Sequence, residues 1–155
     1  MASESKTREA WWSKDLFETG IGYVLVARFK GNGDVEAGFF LIDVYCLGAK
    51  NADSFRGTSG EYKELLAGLF PDEGGEEISP ECGRKFVEDS VAYARRLGLA
   101  PHPDYKLGCR VFGGINPAIC ERSFTFGSEG KPLYIQGPND SPAFVERVLR
   151  SLNPR

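Results

Sequence analysis

An Asn-Gly pair between two extended apolar runs constrains the fold of this sequence more than any other feature. Residues 22–30 and 35–46 are rich in β-branched and aromatic side chains, and the segment Gly-Asn-Gly-Asp at 31–34 joins them. Asn-Gly between two such runs is the strongest short-range signal of a β-hairpin. The sequence therefore predicts an antiparallel hairpin over about residues 22–46.

A two-residue loop sets the expected register of this hairpin. It pairs Lys30 with Val35, and by extension Leu25 with Phe40. Both faces are apolar near the middle of the hairpin, so we expect it to be covered on both sides or to lie centrally in a sheet.

The remaining elements favour an α+β fold built from antiparallel β-hairpins and about five helices. A second hairpin is predicted over about residues 122–136, around the Gly-Ser-Glu-Gly segment at 127–130. The predicted helices span residues 8–18, 58–70, 79–97, 104–112 and 141–152. Because the strands come in pairs, a doubly wound parallel sheet is not expected.

Helix starts are marked by residues that satisfy free backbone amides. Thr58 and Glu61 form a capping-box pattern, and Ser-Pro at 79–80 and 141–142 places an N-cap hydroxyl before a first-turn proline. The apolar positions of the elements predict a core of Leu25, Phe40, Ile42, Leu65, Leu69, Phe86, Tyr93, Leu97, Phe124, Leu133, Ile135, Val145 and Leu149.

Length and hydropathy favour a single α+β domain over residues 1–155, with residues 1–7 as a flexible tail. The longest apolar stretch, at 39–47, is interrupted by Asp43 and is too short to cross a membrane, which takes about 20 residues. The polar N-terminus lacks the apolar region of a secretory signal, so we expect a cytoplasmic location.

The charge balance disfavours nucleic acid as a partner. Nineteen basic and 22 acidic residues leave a net charge of −3, whereas nucleic-acid binding depends on neutralising phosphates. The second half of the chain is more basic, so a nucleic-acid-associated factor remains an alternative. Its candidate contacts are Arg84, Lys85, Arg95, Arg96, Lys106 and Arg110.

The cysteine pattern favours free buried thiols over disulfides and predicts no metal site. The four cysteines are Cys46, Cys82, Cys109 and Cys120, no Cys-x-x-Cys pair occurs, and the chain has one histidine. Glycine-rich nucleotide motifs are also absent from the sequence, so no cofactor is predicted.

Asp43 is an anomaly, because it interrupts an apolar strand where a carboxylate is costly unless it is hydrogen-bonded or paired. It is either a general base or a structural acceptor for nearby amides, and we favour the structural role. Cys46, with Lys50 to lower its pKa and His102 as base, is a second catalytic candidate, although a buried inert thiol is favoured. The loop carrying Lys50 and Asn51 is a candidate ligand-binding segment.

Trp11 and Trp12 are adjacent, so both cannot face the same core from the predicted first helix. We expect one of them at a rim or an interface, since aromatic residues are enriched there. With the acidic loop at 72–77, this pair favours a protein partner or a homodimer.

Three segments carry a resemblance to a known family. FLIDVYCLGAKNA at 40–52, PHPDY at 101–105 and GSEGKPLYIQGPNDSP at 127–142 resemble a family of uncharacterised bacterial proteins with a "DVYCLGxKNA"-like strand and a "GKPxYxxGPNDSP"-like hairpin. The resemblance covers most of residues 10–150. It implies a shared fold and no activity, so no catalytic role is carried over.

The leading functional hypothesis is a cytoplasmic bacterial interaction or regulatory module without its own catalysis. The second is a small hydrolytic or nucleotide-directed enzyme that uses an Asp43/Cys46/His102 cleft. The third is the nucleic-acid-associated factor described above.

Overall fold

The α+β fold is confirmed by the computed structural model, which describes residues 6–153. One antiparallel sheet has the strand order β4-β3-β2-β1-β5. Its strands are β1 (Arg8–Ser13), β2 (Ile21–Phe29), β3 (Asp34–Asp43), β4 (Gly48–Thr58) and β5 (Gly75–Ile78). The helices are α1 (Leu16–Thr19), α2 (Ser59–Leu69), α3 (Pro80–Arg96), α4 (Tyr105–Gly108) and α5 (Pro142–Leu152), with 3₁₀ turns at 71–73, 109–112 and 117–119. Of the expected flexible tail, residues 1–5 lie outside the described residues.

Both faces of the sheet are covered, as the apolar faces of the central hairpin predicted. On one face, Phe86 of α3 belongs to a buried cluster with Val24 and Phe40. On the other face, Tyr62 of α2 belongs to a cluster with Leu25. The central strands therefore contribute alternate side chains to two separate cores. In residues 6–153 no helix is long and apolar enough to cross a membrane.

The register of the β2–β3 hairpin differs from the predicted one by one residue. Phe29 pairs with Val35, and Leu25 pairs with Phe39 rather than with Phe40. The cause is a three-residue loop in which Gly33 adopts a left-handed conformation with φ of +91°, a backbone shape that glycine adopts without strain. Because a one-residue slip moves side chains to the opposite face, Leu25 and Phe40 lie in different cores.

The predicted helix over residues 8–18 is wrong for most of its length. Arg8–Ser13 is strand β1, and only Leu16–Thr19 is helical. Strand β1 lies between β2 and β5 and pairs with both. Two ladders of backbone hydrogen bonds thus outweigh the local helical pattern, a tertiary effect that propensity does not capture.

The second predicted hairpin, over residues 122–136, is also wrong, since this segment forms no strand. Its only ladder contact is an isolated bridge between Ser128 and Lys131. The Gly127 amide instead donates to the Val44 carbonyl at 2.8 Å, and the Leu133 amide donates to Tyr45 at 3.0 Å. These two amides donate to carbonyls of the loop after β3, so they are not available as donors in a second sheet.

The predicted core is only partly buried. Leu25, Phe40, Ile42 and Phe86 are fully buried, whereas Leu133, Ile135 and Leu149 are 42%, 59% and 47% exposed. Without a second sheet, Leu133 and Ile135 have no apolar layer to face.

The three helix starts are confirmed. Thr58 and Glu61 form a capping box at α2, with each side chain accepting a hydrogen bond from the other residue's backbone amide. Ser79 and Ser141 accept hydrogen bonds from amides in the first turns of α3 and α5. These local signals act over three or four residues, so sequence spacing is sufficient to identify them.

The expectation of four free thiols is wrong for one pair. Cys82, in the first turn of α3, forms a disulfide with Cys120, and their Cα atoms lie 5.0 Å apart. Cys46 and Cys109 are free. The two bonded residues are 38 positions apart, and only the packing of the segment after α4 against α3 brings them together.

Candidate functional site

Asp43 ends β3 and anchors the loop that follows it. One carboxylate oxygen, Oδ1, accepts a hydrogen bond from the Tyr45 amide at 3.0 Å, and Oδ2 accepts one from the Leu47 amide at 3.3 Å. The residue is 8% exposed. Burial raises the pKa of the Asp43 carboxyl, and the amide hydrogen bonds only partly offset that rise. This geometry is that of a structural acceptor for backbone amides.

Cys46 is fully buried in a small apolar cluster with Leu47, Leu99 and Val148. Burial, followed by the nearby Asp43 carboxylate, raises the pKa of the Cys46 thiol to about 12. Because the thiolate is the nucleophilic form, this environment disfavours the nucleophilic form of Cys46 near neutral pH. The surroundings of Cys46 do not activate it for catalysis.

His102 lies in the loop after α3, where two hydrogen bonds orient it. Its backbone amide donates to the Ala49 carbonyl at 2.9 Å, and its Nδ1 accepts from the Asp104 amide at 3.0 Å. Since Nδ1 is an acceptor here, Nε2 carries the proton in the neutral ring.

A cleft of about 530 Å³ brings His102 and Lys50 together. We call it the basic cleft, and it lies between the start of β4, the loop after α3, and α5. Its lining consists of Leu47, Ala49, Lys50, Gly98, Leu99, Ala100, Pro101, His102, Pro103, Phe144, Arg147 and Val148. Asp43 and Cys46 lie outside that lining, so the three candidate catalytic residues do not share one cleft.

Lys50 is held beside a carboxylate from the turn before α5. Its Nζ lies 3.5 Å from Oδ1 of Asp140, and Oδ2 of Asp140 accepts hydrogen bonds from the Tyr134 hydroxyl at 2.6 Å and the Gly137 amide at 2.8 Å. Burial alone would raise the pKa of Asp140, but these two donors and Lys50 together lower it. Asp140 therefore carries a negative charge that orients Lys50 at the edge of the basic cleft.

Asn51 does not join Lys50 in the basic cleft. Its side-chain oxygen accepts a hydrogen bond from the Ala52 amide at 2.8 Å. It lines a separate, smaller cavity of about 70 Å³ with Tyr23 and Phe39. The β3–β4 ladder is irregular here, because Leu41 pairs with Asn51 whereas Ile42 pairs with Ala49, and Lys50 and Asn51 line cavities on opposite faces of the sheet.

Trp11 and Trp12 are separated in the same way by strand β1. Trp12 is 4% exposed, packs edge-on against Phe86, and donates from Nε1 to Glu76 at 2.9 Å. Trp11 is half-buried on the other face, where its Nε1 donates to Glu9 at 2.9 Å. Trp12 is thus a core residue, and Trp11 alone is available at a surface.

Trp11 lines a second cleft, of about 410 Å³, between β1 and the end of α2. We call it the Trp11 cleft. Its lining is mostly apolar and consists of Trp11, Leu66, Ala67, Phe70, Pro71, Asp72, Glu73 and Gly75. The sequence contains the aromatic and the acidic parts of this cleft, but Trp11 lies about 60 residues before Asp72 and Glu73, and only the β1–β5 pairing brings these segments together.

The basic residues proposed as nucleic-acid contacts are partly used inside the protein. Arg84 donates to the carbonyls of Phe112 and Ile115 at 3.0 and 2.7 Å, and Lys85 bonds the Arg122 carbonyl. Arg95, Arg96, Lys106 and Arg110 are exposed. Two of the six candidates therefore hold the segment after α4 against α3.

No group of three or more His, Cys, Asp or Glu side chains in residues 6–153 is arranged to hold a metal ion. Comparison with protein-family models, with curated proteins and with solved structures found no match to the chain.

Proposed function

We propose that the protein is a cytoplasmic bacterial interaction module without its own catalysis, whose Trp11 cleft binds a basic peptide segment. The segment inserts one large apolar side chain beside Trp11, and its flanking Lys or Arg residues pair with the acidic rim. The observation that carries the proposal is an apolar cleft with a tryptophan wall and two carboxylates in its lining.

The apolar walls supply the affinity. Trp11, Leu66 and Phe70 surround a volume large enough for an aromatic ring, and tryptophan is among the residues that contribute most to binding energy at interfaces. The Trp11 indole N–H is already bonded to Glu9, so its ring presents apolar surface to a partner without an unsatisfied donor.

The acidic rim selects a basic partner. Residues 71–90 contain seven acidic and two basic residues. Glu77 is neutralised by Lys6 at 2.6 Å, whereas Asp72 and Glu73 form no ion pair within the described part of the chain and are exposed. Two carboxylates beside an apolar cleft favour cationic neighbours to the inserted side chain and repel acidic ones.

The loop that carries these carboxylates has a strained backbone. Asp72 and Glu73 adopt φ values of +56° and +57°, which costs non-glycine residues about 1–3 kcal/mol each. Such strain persists only where surrounding contacts maintain it, and strained residues are concentrated at functional sites. Its position at the rim of the Trp11 cleft supports a binding role.

The test is a calorimetric titration with the synthetic peptide Lys-Lys-Phe-Lys-Lys, with Glu-Glu-Phe-Glu-Glu as the charge-reversed control. Ala67→Arg fills the cleft from an exposed helix position and should weaken binding by about tenfold or more. Gly68→Arg is the matched control, because it adds the same side chain one residue away, where an added Cβ meets nothing within 4 Å. Equal binding to both variants, or equal affinity for both peptides, would refute the proposal.

A homodimer that forms through the Trp11 cleft is an alternative, and the same two variants test it. Light scattering of the free protein would then show a dimer that Ala67→Arg dissociates and Gly68→Arg preserves. That result would replace the peptide with a second copy of this chain.

The location has its own test. The disulfide between Cys82 and Cys120 counts against a cytoplasmic location, because cytosolic thiols are kept reduced. If the protein is cytoplasmic, both residues carry free thiols in intact cells and the bond forms only after lysis. Alkylation before lysis, followed by mass spectrometry, measures this. Recovery of the pair as a disulfide would instead assign the protein to an oxidising compartment.

A further inference from the structure

We infer that the basic cleft is a binding site for a small organic anion with an apolar body and a carboxylate head. The inference is independent of the proposed function, because the basic cleft and the Trp11 cleft share no lining residue. Its basis is the combination of an apolar floor with hydrogen-bond donors at the edge, two of which, Lys50 and Arg147, are cationic.

The floor of the basic cleft is apolar and buried. Leu47, Leu99 and Val148 line it and are 5%, 8% and 1% exposed, and the Phe144 ring adds a further apolar wall. The volume of about 530 Å³ falls within the range of about 300–1,000 Å³ that is typical of small-molecule sites. The body of the ligand would therefore be aliphatic or aromatic.

The polar side chains of the lining can all donate hydrogen bonds. They belong to Lys50, His102 and Arg147, and among the described residues that line the cleft there is no carboxylate. Lys50 is paired with Asp140 at 3.5 Å, which leaves further ammonium N–H groups for a ligand. A ligand head that accepts several hydrogen bonds and carries negative charge fits this set.

Arg147 carries the charge that selects an anion. Within residues 6–153 it forms no ion pair, and its guanidinium lies 5.9 Å from the centre of the Phe144 ring. Arg150, three residues further along α5, is paired with Glu146 at 2.6 Å. A guanidinium beside an apolar wall binds a carboxylate with two parallel hydrogen bonds.

His102 contributes a donor whose direction is fixed by the backbone. Its Nδ1 accepts from the Asp104 amide at 3.0 Å, so Nε2–H is a donor whether the ring is neutral or protonated. The His102 side chain is 32% exposed, which leaves it accessible to a ligand. The loop of 98–103 thus supplies both a wall and a hydrogen bond.

The test compares three ligands that share one body: 4-phenylbutyrate, 4-phenylbutanol and 4-phenylbutylamine. Calorimetry on the full chain should give a dissociation constant for the carboxylate that is about tenfold or more below that of the alcohol, since bonds to charged groups are the stronger ones. The amine should bind more weakly still. Equal affinity for all three ligands would show an apolar cleft without anion selection and would overturn the inference.

Substitutions in the lining test which side chains bind the carboxylate head of the ligand. Arg147→Gln should weaken 4-phenylbutyrate binding by about tenfold, while Arg150→Gln, on the same helix, should change it by less than about twofold. His102→Asn keeps an acceptor for the Asp104 amide, removes the Nε2–H donor, and should weaken binding severalfold. Circular dichroism and the urea midpoint establish that each variant is folded. Equal losses in Arg147→Gln and Arg150→Gln would refute the site, because they would reflect only the net charge of the helix.

Discussion

The disulfide between Cys82 and Cys120 makes the sharpest prediction about stability. It closes a loop of 38 residues that contains α4, two 3₁₀ turns and most of α3. In the chain-entropy description, a cross-link of this span stabilises the folded state by about 4 kcal/mol, because it restricts the unfolded chain. Since whole domains are stable by only about 5–15 kcal/mol, reduction should remove a large part of the stability.

Urea unfolding with and without a phosphine reductant measures this contribution. With a typical urea slope of about 1–3 kcal/mol per M, the midpoint should fall by about 2 M on reduction. The double variant Cys82→Ala/Cys120→Ala should start at the lower midpoint and show no further response to the reductant. That variant separates the effect of the bond from any effect of the reductant elsewhere.

Thiol counting decides whether the bond is present in the purified protein. Unfolded without reductant, the chain should expose two thiols, those of Cys46 and Cys109, and reduction should raise the number to four. Four thiols before reduction would refute the pairing. A count that rises from two to four while the midpoint stays unchanged would refute the entropic reasoning instead.

Three further predictions concern buried residues of the fold. Because burial raises the pKa of the Cys46 thiol to about 12, iodoacetamide should label Cys46 orders of magnitude more slowly in the folded protein than in urea; rapid labelling at pH 7 would restore it as a candidate nucleophile. Burial also raises the pKa of Asp43 above its ordinary value of 3.8, so the folded state binds this proton more tightly than the unfolded state does, and Asp43 contributes less stability as pH rises through 3.8 and above. The urea midpoint of the wild type relative to Asp43→Asn should fall over that interval, and a difference independent of pH would contradict the assignment. Gly38→Ala should cost about 1–3 kcal/mol, since its Cβ would lie 2.0 Å from the Gly108 carbonyl oxygen; thermal unfolding measures the loss, and an unchanged midpoint would mean that α4 does not pack against β3 at this point.

Local chemistry accounts for the elements that the sequence predicted well. The amphipathic stripe of α3 and the capping residues at 58–61, 79–80 and 141–142 depend on positions three or four residues apart. The capping groups and their amide partners are close in sequence, and distant segments do not change them. The existence of the β2–β3 hairpin, with its Asn-Gly turn, follows from the same kind of local signal.

The sequence could not discriminate between local backbone conformations that its residues favour almost equally. A three-residue loop with Gly33 in the left-handed region differs little in sequence from a two-residue one, yet it moves Leu25 and Phe40 to opposite faces of the sheet. Residues 8–13 carry a helical pattern but are a strand, because β2 and β5 pair with both of their edges. The amides of 127 and 133 bond the loop after β3 and so leave no second hairpin.

By itself, the sequence determined the α+β class, the central hairpin, the major helices with their caps, and the anomaly of Asp43, whose carboxylate accepts hydrogen bonds from the Tyr45 and Leu47 amides. Only the tertiary structure decided that Cys82 meets Cys120, that Trp11 and not Trp12 reaches a surface, and that Lys50, His102 and Arg147 line one cleft. The physical reason is the separation along the chain between the groups that interact. A cap or a turn is stabilised by atoms a few residues apart, whereas a cleft or a disulfide depends on segments separated by tens of residues, whose approach is set by the packing of both cores against the sheet.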